Sequence, residues 1–177
     1  MSRLEDERDE VEVSRLLAGA AKTVASARYC WLATTAENGG PSVRPMGRLL
    51  RDPDENDWTI RFLTDGRSRK VSDMRRVSKV AIIFQRDTDD AYITLIGTAT
   101  LRERASEVRR WWKDEYGAYF PSEQDRANAA FVEIDTERME LWIRGVTPEP
   151  FGLHTTILER DGSGDWRLIV RGRNAAR

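Results

Sequence analysis

Residues 28–50 read Arg28-Tyr-Cys-Trp-Leu-Ala-Thr-Thr-Ala-Glu-Asn-Gly-Gly-Pro-Ser-Val-Arg-Pro-Met-Gly-Arg-Leu-Leu50. The first eight are rich in aromatic and β-compatible residues, and they end at Glu37-Asn-Gly-Gly40, a polar glycine turn of the kind that joins antiparallel strands. A second strand is expected to leave the turn at Pro41 and stop at the polar loop from Arg51 to Asp57. Trp58-Thr-Ile-Arg-Phe-Leu-Thr64 then alternates apolar and polar residues, which predicts a meander of three strands.

Working outward, Val13, Leu16, Leu17, Ala20, Ala21 and Val24 recur at helical spacing, so an amphipathic helix precedes the hairpin. After Thr64, Asp65-Gly-Arg-Ser68 breaks the strand, and Val71, Met74 and Val77 fit one face of a short helix. Lys79–Gln85 and Ala91–Leu101 read as strands around the turn Asp87-Thr-Asp-Asp90. Arg104–Tyr116 reads as a second long helix and Pro121–Ala127 as a loop. Ala130–Ile134 is expected to pair with Arg138–Ile143, and Thr155–Arg160 with Trp166–Val170 across Asp161-Gly-Ser-Gly-Asp165. Many short antiparallel strands with few helices indicate a closed or partly closed barrel. The expectation is one domain over residues 1–177, with residues 1–8 flexible and 150–177 a C-terminal extension carrying that last hairpin.

With 40% hydrophobic and 33% charged residues the chain has the balance of a globular protein. A net charge of −1 gives no global attraction to a polyanion, so nucleic acid is not an expected partner. No apolar run reaches the ~20 residues a membrane-spanning helix needs, and the mixed-charge start from Met1 to Glu12 lacks the features of an export signal. A cytoplasmic location is expected. One cysteine, Cys30, and one histidine, His154, are too few for a thiolate or histidine metal cage, so no metal is expected. Cys30 reads as a small buried residue, and Trp111, Trp112, Tyr116, Tyr119 and Phe120 as core or interface packing.

The stretch that bears on chemistry is Phe62-Leu-Thr-Asp-Gly-Arg-Ser-Arg-Lys-Val71, where a strand ends and glycine-containing backbone enters a helix. Ser68 stands where it can cap that helix, whose first amides point outward beside the positive charges of Arg69 and Lys70. Such a place suits a phosphate, which arginine can grip with paired bonds and lysine with a mobile charge. The same residues, with Arg67, Arg75 and Arg76, also read as a solvated basic helix face, and on spacing alone that is the commoner outcome.

Four ordered pieces resemble the pyridoxamine 5'-phosphate oxidase-like FMN-binding split barrels, and especially their general stress protein branch. They are Trp31-Leu-Ala-Thr34, Val43-Arg-Pro-Met46, Phe62-Leu-Thr64 with Ser68-Arg-Lys70, and Glu140-Leu-Trp142. The resemblance implies a mainly β (α+β) fold, an antiparallel split β-barrel with flanking helices. It implies that Arg44, Pro45 and Met46 lie along the flavin, with Arg44 as polar anchor, and that Leu63 and Thr64 border it. It further implies that Ser68, Arg69 and Lys70 hold the FMN phosphate, and that Trp142 reaches the flavin of a partner subunit in a homodimer with cofactor sites at the interface. A deazaflavin phosphate could use the same residues.

The chain departs from true pyridoxamine phosphate oxidases at two places. Tyr92 in Ala91-Tyr-Ile-Thr-Leu-Ile-Gly97 replaces a flavin-contacting glutamine, and Arg144-Gly-Val-Thr-Pro148 lacks the substrate-binding Arg-x-His segment. The stress-protein branch accommodates both departures. Because flavin chemistry resides mainly in the cofactor, no dedicated catalytic residue is assigned. The resemblance implies an FMN-dependent oxidoreductase acting on a small molecule or reduced nicotinamide, or a flavin-binding stress protein without turnover.

Overall fold

The structure is a computed structural model, and it describes residues 3–50 and 58–169. In chain order the elements are α1 (Arg3–Ser26), β1 (Tyr29–Thr35), β2 (Pro41–Gly47), β3 (Thr59–Asp65), α2 (Arg69–Arg76), β4 (Lys79–Arg86), β5 (Ala91–Arg102), α3 (Ala105–Trp111), α4 (Glu123–Ala127), β6 (Ala129–Ile143), β7 (Thr156–Arg160) and β8 (Trp166–Leu168). The expected loop from Arg51 to Asp57, and Val170 at the end of the last expected strand, lie outside the described residues. Among the described residues the strands form one mainly antiparallel sheet in the order β2-β1-β4-β5-β6-β7-β8, with β3 paired to β6.

By its contacts the chain divides into two compact units, and β4, β5 and β6 each pass from one unit to the other, at Ala81–Ile82, Ile96–Gly97 and Thr136–Glu137. The unit built from Tyr29–Ala81 and Gly97–Thr136 holds the β1–β2 hairpin, β3 on the first half of β6, and α2, α3 and α4. The hairpin registers Tyr29 against Gly47 and Thr35 against Pro41. Its turn depends on Gly39, whose φ of +83° is costly for any residue with a Cβ. Pleating sends Cys30, Leu32 and Thr34 inward with Ser42, Arg44 and Met46, and leaves Tyr29, Trp31 and Val43 outside. Helix α2 packs on β1 through the face carrying Val71 and Met74, both nearly or fully buried.

The other unit contains α1, the β4–β5 hairpin from Ile82 to Ile96, the second half of β6, and the β7–β8 hairpin. Its core is made by Leu16 and Ala20 of α1 with Ile82, Phe84, Ile93, Leu95, Met139, Leu141 and Leu158. Gly19 of α1 lies so close to Val146 that an added Cβ would meet its Cγ1 at 2.8 Å.

Four expectations are corrected. The third strand does not extend a β1–β2–β3 meander: β3 pairs with β6, from Thr59↔Asp135 to Asp65↔Ala129. Ala130–Ile134 and Arg138–Ile143 do not pair with each other but belong to one 15-residue strand, β6. Continuity through the polar Asp135-Thr-Glu137 is possible because Thr136 N–H donates to the Trp58 carbonyl, and because Gly97 of β5 makes room for the Asp135 carbonyl. The expected long helix Arg104–Tyr116 is α3, ending at Trp111, followed by a 3₁₀ turn at Asp114–Ala118. Within the expected loop Pro121–Ala127, Ser122 and Asp125 form a reciprocal capping box that starts the short α4.

Candidate functional site

The site begins where β3 ends. Gly66 donates its N–H to the Asn128 carbonyl at 2.7 Å, and a Cβ there would meet that oxygen at 3.2 Å. The Asp65 carboxylate accepts from the Arg67 backbone N–H at 2.8 Å and from its guanidinium, and its carbonyl accepts from Ser68 N–H at 3.1 Å. Arg67 thereby holds the Asp65 carboxyl down at about 2, through its side-chain bond first and its backbone bond second. Arg67 is committed to this turn.

Ser68 follows in the N-cap position of α2, with extended backbone angles of φ −70° and ψ 152°. Its hydroxyl does not cap the helix: Ser68 Oγ is buried and has no hydrogen-bond partner among the described residues. A buried hydroxyl left unpaired costs about 1–3 kcal/mol, so this atom is poised for an acceptor that none of the described residues supplies. Arg69 and Lys70, the first two helical residues, have amides without intrahelical acceptors. Lys70 is half-buried, and burial first, then the nearby Arg44 charge, pull its pKa below the ordinary lysine value. Neither Arg69 nor Lys70 forms an ion pair among the described residues.

Arg44 completes the group. It stands opposite Leu32 on the inward face of β2, and its Nη1 donates to Thr34 Oγ1 at 2.8 Å while Nη2 donates to Ser42 Oγ at 2.5 Å. Thr34 Oγ1 in turn donates to Asp73 Oδ2 at 2.9 Å, and Arg44 Nη2 lies 3.8 Å from the same oxygen. Asp73 is buried on the inner face of α2 and also receives Arg76 at 3.4 Å. Desolvation lowers the Arg44 pKa, Asp73 opposes that shift, and the Arg69 charge adds to it. Three cations, Arg44, Arg69 and Lys70, thus feel one another, with one buried carboxylate beneath them. Ser42, Asp73 and Arg69 also border an open cavity of ≈ 480 Å³ with Ala36, Glu37 and Asn38.

The remaining expected residues are spread more widely. Pro45 is exposed, and Met46 is half-buried, its carbonyl 3.5 Å from the Cys30 thiol. That thiol is pushed up to about 12 by burial, so it is not a nucleophile at neutral pH. The pleat of β3 sends Leu63 into an aromatic cluster with Tyr116, Phe120 and Phe131, and turns the buried Thr64 the other way. Trp142 is half-buried on the part of β6 that belongs to the other unit. The partners of Arg44, namely Thr34, Ser42 and Asp73, were not among the expected residues. Asp73 carried a signal, since it sits between Val71 and Met74 on the apolar face of a short helix, where an acid needs a partner.

Among the described residues there is no group of side chains able to hold a metal ion, and no helix long and apolar enough to cross a membrane. No curated protein sequence matches the chain. Solved structures do. A Clostridium acetobutylicum protein related to general stress protein 26 superposes with a TM-score of 0.64 at 20% identity, over 82% of this chain and 94% of that one. A pyridoxamine 5'-phosphate oxidase-related, FMN-binding protein of Nostoc punctiforme gives 0.63 at 18% identity, over 90% and 95%. PhzG of Burkholderia lata, solved with tetrahydrophenazine-1-carboxylic acid, gives 0.60 at 17% identity, over 91% of each chain. The fold is therefore the expected one, a mainly β split barrel with flanking helices. Residues 17–143 match the pyridoxamine 5'-phosphate oxidase family, and the chain belongs to that family.

Proposed function

We propose that this chain binds a flavin phosphate, FMN, with the phosphate at the N-terminus of α2, and serves as a homodimeric flavin-dependent oxidoreductase. Its substrate is a small molecule or a reduced nicotinamide. The observation that carries the reading is the buried Ser68 Oγ, which has no partner among the described residues, beside two helix-terminal amides and the charges of Arg69 and Lys70, which form no ion pair among the described residues. A phosphate would satisfy all of these at once, and the N-terminus of α2 adds the favourable end of the helix dipole.

Bound flavin supplies the chemistry of accepting and passing on a hydride or electrons. The chain's own residues bind and orient. Ser68 Oγ donates, Arg69 and Lys70 neutralise charge, and Arg44, fixed by Thr34, Ser42 and Asp73, presents a guanidinium that cannot swing freely. Residues Arg44, Pro45 and Met46 on β2 and Leu63 and Thr64 on β3 would border the ring, with Trp142 reaching it from a partner subunit. Support for the homodimer comes from the outer face of β1 and β2, where Tyr29, Trp31 and Val43 stay 59%, 46% and 54% exposed. Large apolar side chains clustered on one strand face are typical of a covered surface.

The test is an absorbance spectrum of purified protein after FMN addition and desalting, with mass identification of what denaturation releases, followed by oxidation of reduced nicotinamides by the holoprotein. A retained flavin band with FMN released, and steady nicotinamide oxidation, is the expected result. Release of a deazaflavin would replace the cofactor in this reading; tight FMN binding with no turnover of any donor would reduce the reading to a flavin-binding protein.

A further inference from the structure

We propose that a second cavity, formed by α3, α4 and the start of β6, binds a planar aromatic carboxylate. The cavity measures ≈ 570 Å³ and contains none of the residues assigned to flavin. That volume lies within the roughly 300–1,000 Å³ of small-molecule sites. Val108 and Ala129 give it a buried apolar floor. Trp112 forms a wall, and its indole is held edge-on to Tyr116 at 5.9 Å and to Phe120 at 6.0 Å between ring centroids. A rigid aromatic wall over an aliphatic floor suits a flat apolar body, because the ring gains contact area without losing rotamer freedom on binding.

The charges on the rim select the polar end of the ligand. Arg126 spends its Nε on the Phe120 carbonyl at 3.0 Å, which anchors the guanidinium while its two terminal nitrogens have no partner among the described residues. Arg109 has no hydrogen bond or ion pair among the described residues. Of the acids on the rim, Glu103 is already taken by Arg75, through both guanidinium Nε and Nη2. Glu123 alone remains against two guanidinium groups that form no ion pair among the described residues, so the site retains positive charge and favours a carboxylate over an amine or an alcohol.

The test titrates naphthalene-2-carboxylate into the full chain, with and without FMN present, by isothermal titration calorimetry. The expected result is one site per chain, unaffected by FMN, with naphthalen-2-ylmethanol and naphthalen-2-ylmethanamine at least about tenfold weaker. Arg109→Gln alters an exposed side chain that holds nothing in place, and should weaken the carboxylate about tenfold. Ala127→Trp, which fills the cavity from the exposed side, should abolish binding, while Arg69→Ala with Lys70→Ala should leave it intact. The proposal is overturned if Arg109→Gln and Ala127→Trp both bind as the parent does, if the amine or alcohol binds equally well, or if FMN displaces the probe. None of these outcomes depends on whether the flavin assignment is right.

Discussion

Replacing Lys70 by methionine separates what the cradle does for a ligand from what it costs the protein. The ammonium is half-buried beside Arg44, and both burial and that like charge disfavour its charged form. Lys70→Met keeps the aliphatic stem and removes the charge, so the ligand-free variant should melt higher than the parent. Since the folded-state pKa lies below the unfolded value of 10.5, the unfolded chain binds more protons as pH approaches that value. The parent's stability should therefore rise with pH through the window from the folded pKa up to 10.5, and Lys70→Met should lack that rise. For binding, a hydrogen bond to a charged group is worth about 1.5–3 kcal/mol, which predicts an FMN dissociation constant weaker by about 10- to 150-fold. Riboflavin, which lacks the phosphate, should bind parent and variant alike. Quenching of flavin fluorescence measures both ligands, and thermal unfolding without flavin measures the rest. Equal losses for FMN and riboflavin, or no loss for either, would refute the placement of Lys70 at the phosphate.

Four other substitutions test the frame around the site. Asp73→Asn removes the carboxylate shared by Arg44, Arg76 and Thr34, and should cost about 1–3 kcal/mol in urea unfolding; Thr34→Val should cost less because the ion pairs remain. Gly97→Ala would place a Cβ 2.1 Å from the Asp135 carbonyl, a backbone clash that β5 and β6 can relieve only by separating, so a loss of about 3 kcal/mol is expected in the same assay. Trp31→Lys puts a charge in the middle of the exposed β1–β2 face and should shift the protein from dimer to monomer in light scattering, with the fold unchanged by circular dichroism.

The parts of the fold that were legible in the sequence are those held by local chemistry. Asn38-Gly39-Gly40 announces the first hairpin because Gly39 alone tolerates the positive φ that the turn uses. The helical spacing of Leu16, Ala20 and Val24 likewise marks the buried stripe of α1. What was not legible is set by distant partners. Nothing near Thr59–Asp65 says that its neighbour is Ala129–Asp135 rather than the adjacent β2, because strand pairing is a choice among the whole sheet. The polar run through Asp135 and Glu137 reads as a turn until Trp58 and Gly97 are known to receive it.

The candidate site divides along the same line. Ser68, Arg69 and Lys70 are consecutive, so one stretch of sequence brings them to the helix start, and the structure does so. Arg44 comes from β2, and its holders, Thr34 across the hairpin and Asp73 a helix away, emerge only when β1 packs on α2. Leu63 owes its setting to distant partners too: the pleat that buries Phe62 and Thr64 on one face sends its side chain into the aromatic cluster on the other.

The most direct test of the central claim is the amide spectrum of ¹⁵N-labelled protein titrated with FMN and, separately, with riboflavin. If the phosphate sits at the start of α2, the Arg69 and Lys70 amides should shift strongly with FMN and little with riboflavin, while residues on β2 respond to both. Flavin binding that leaves those two amides unmoved, or moves them equally with either ligand, would contradict the account.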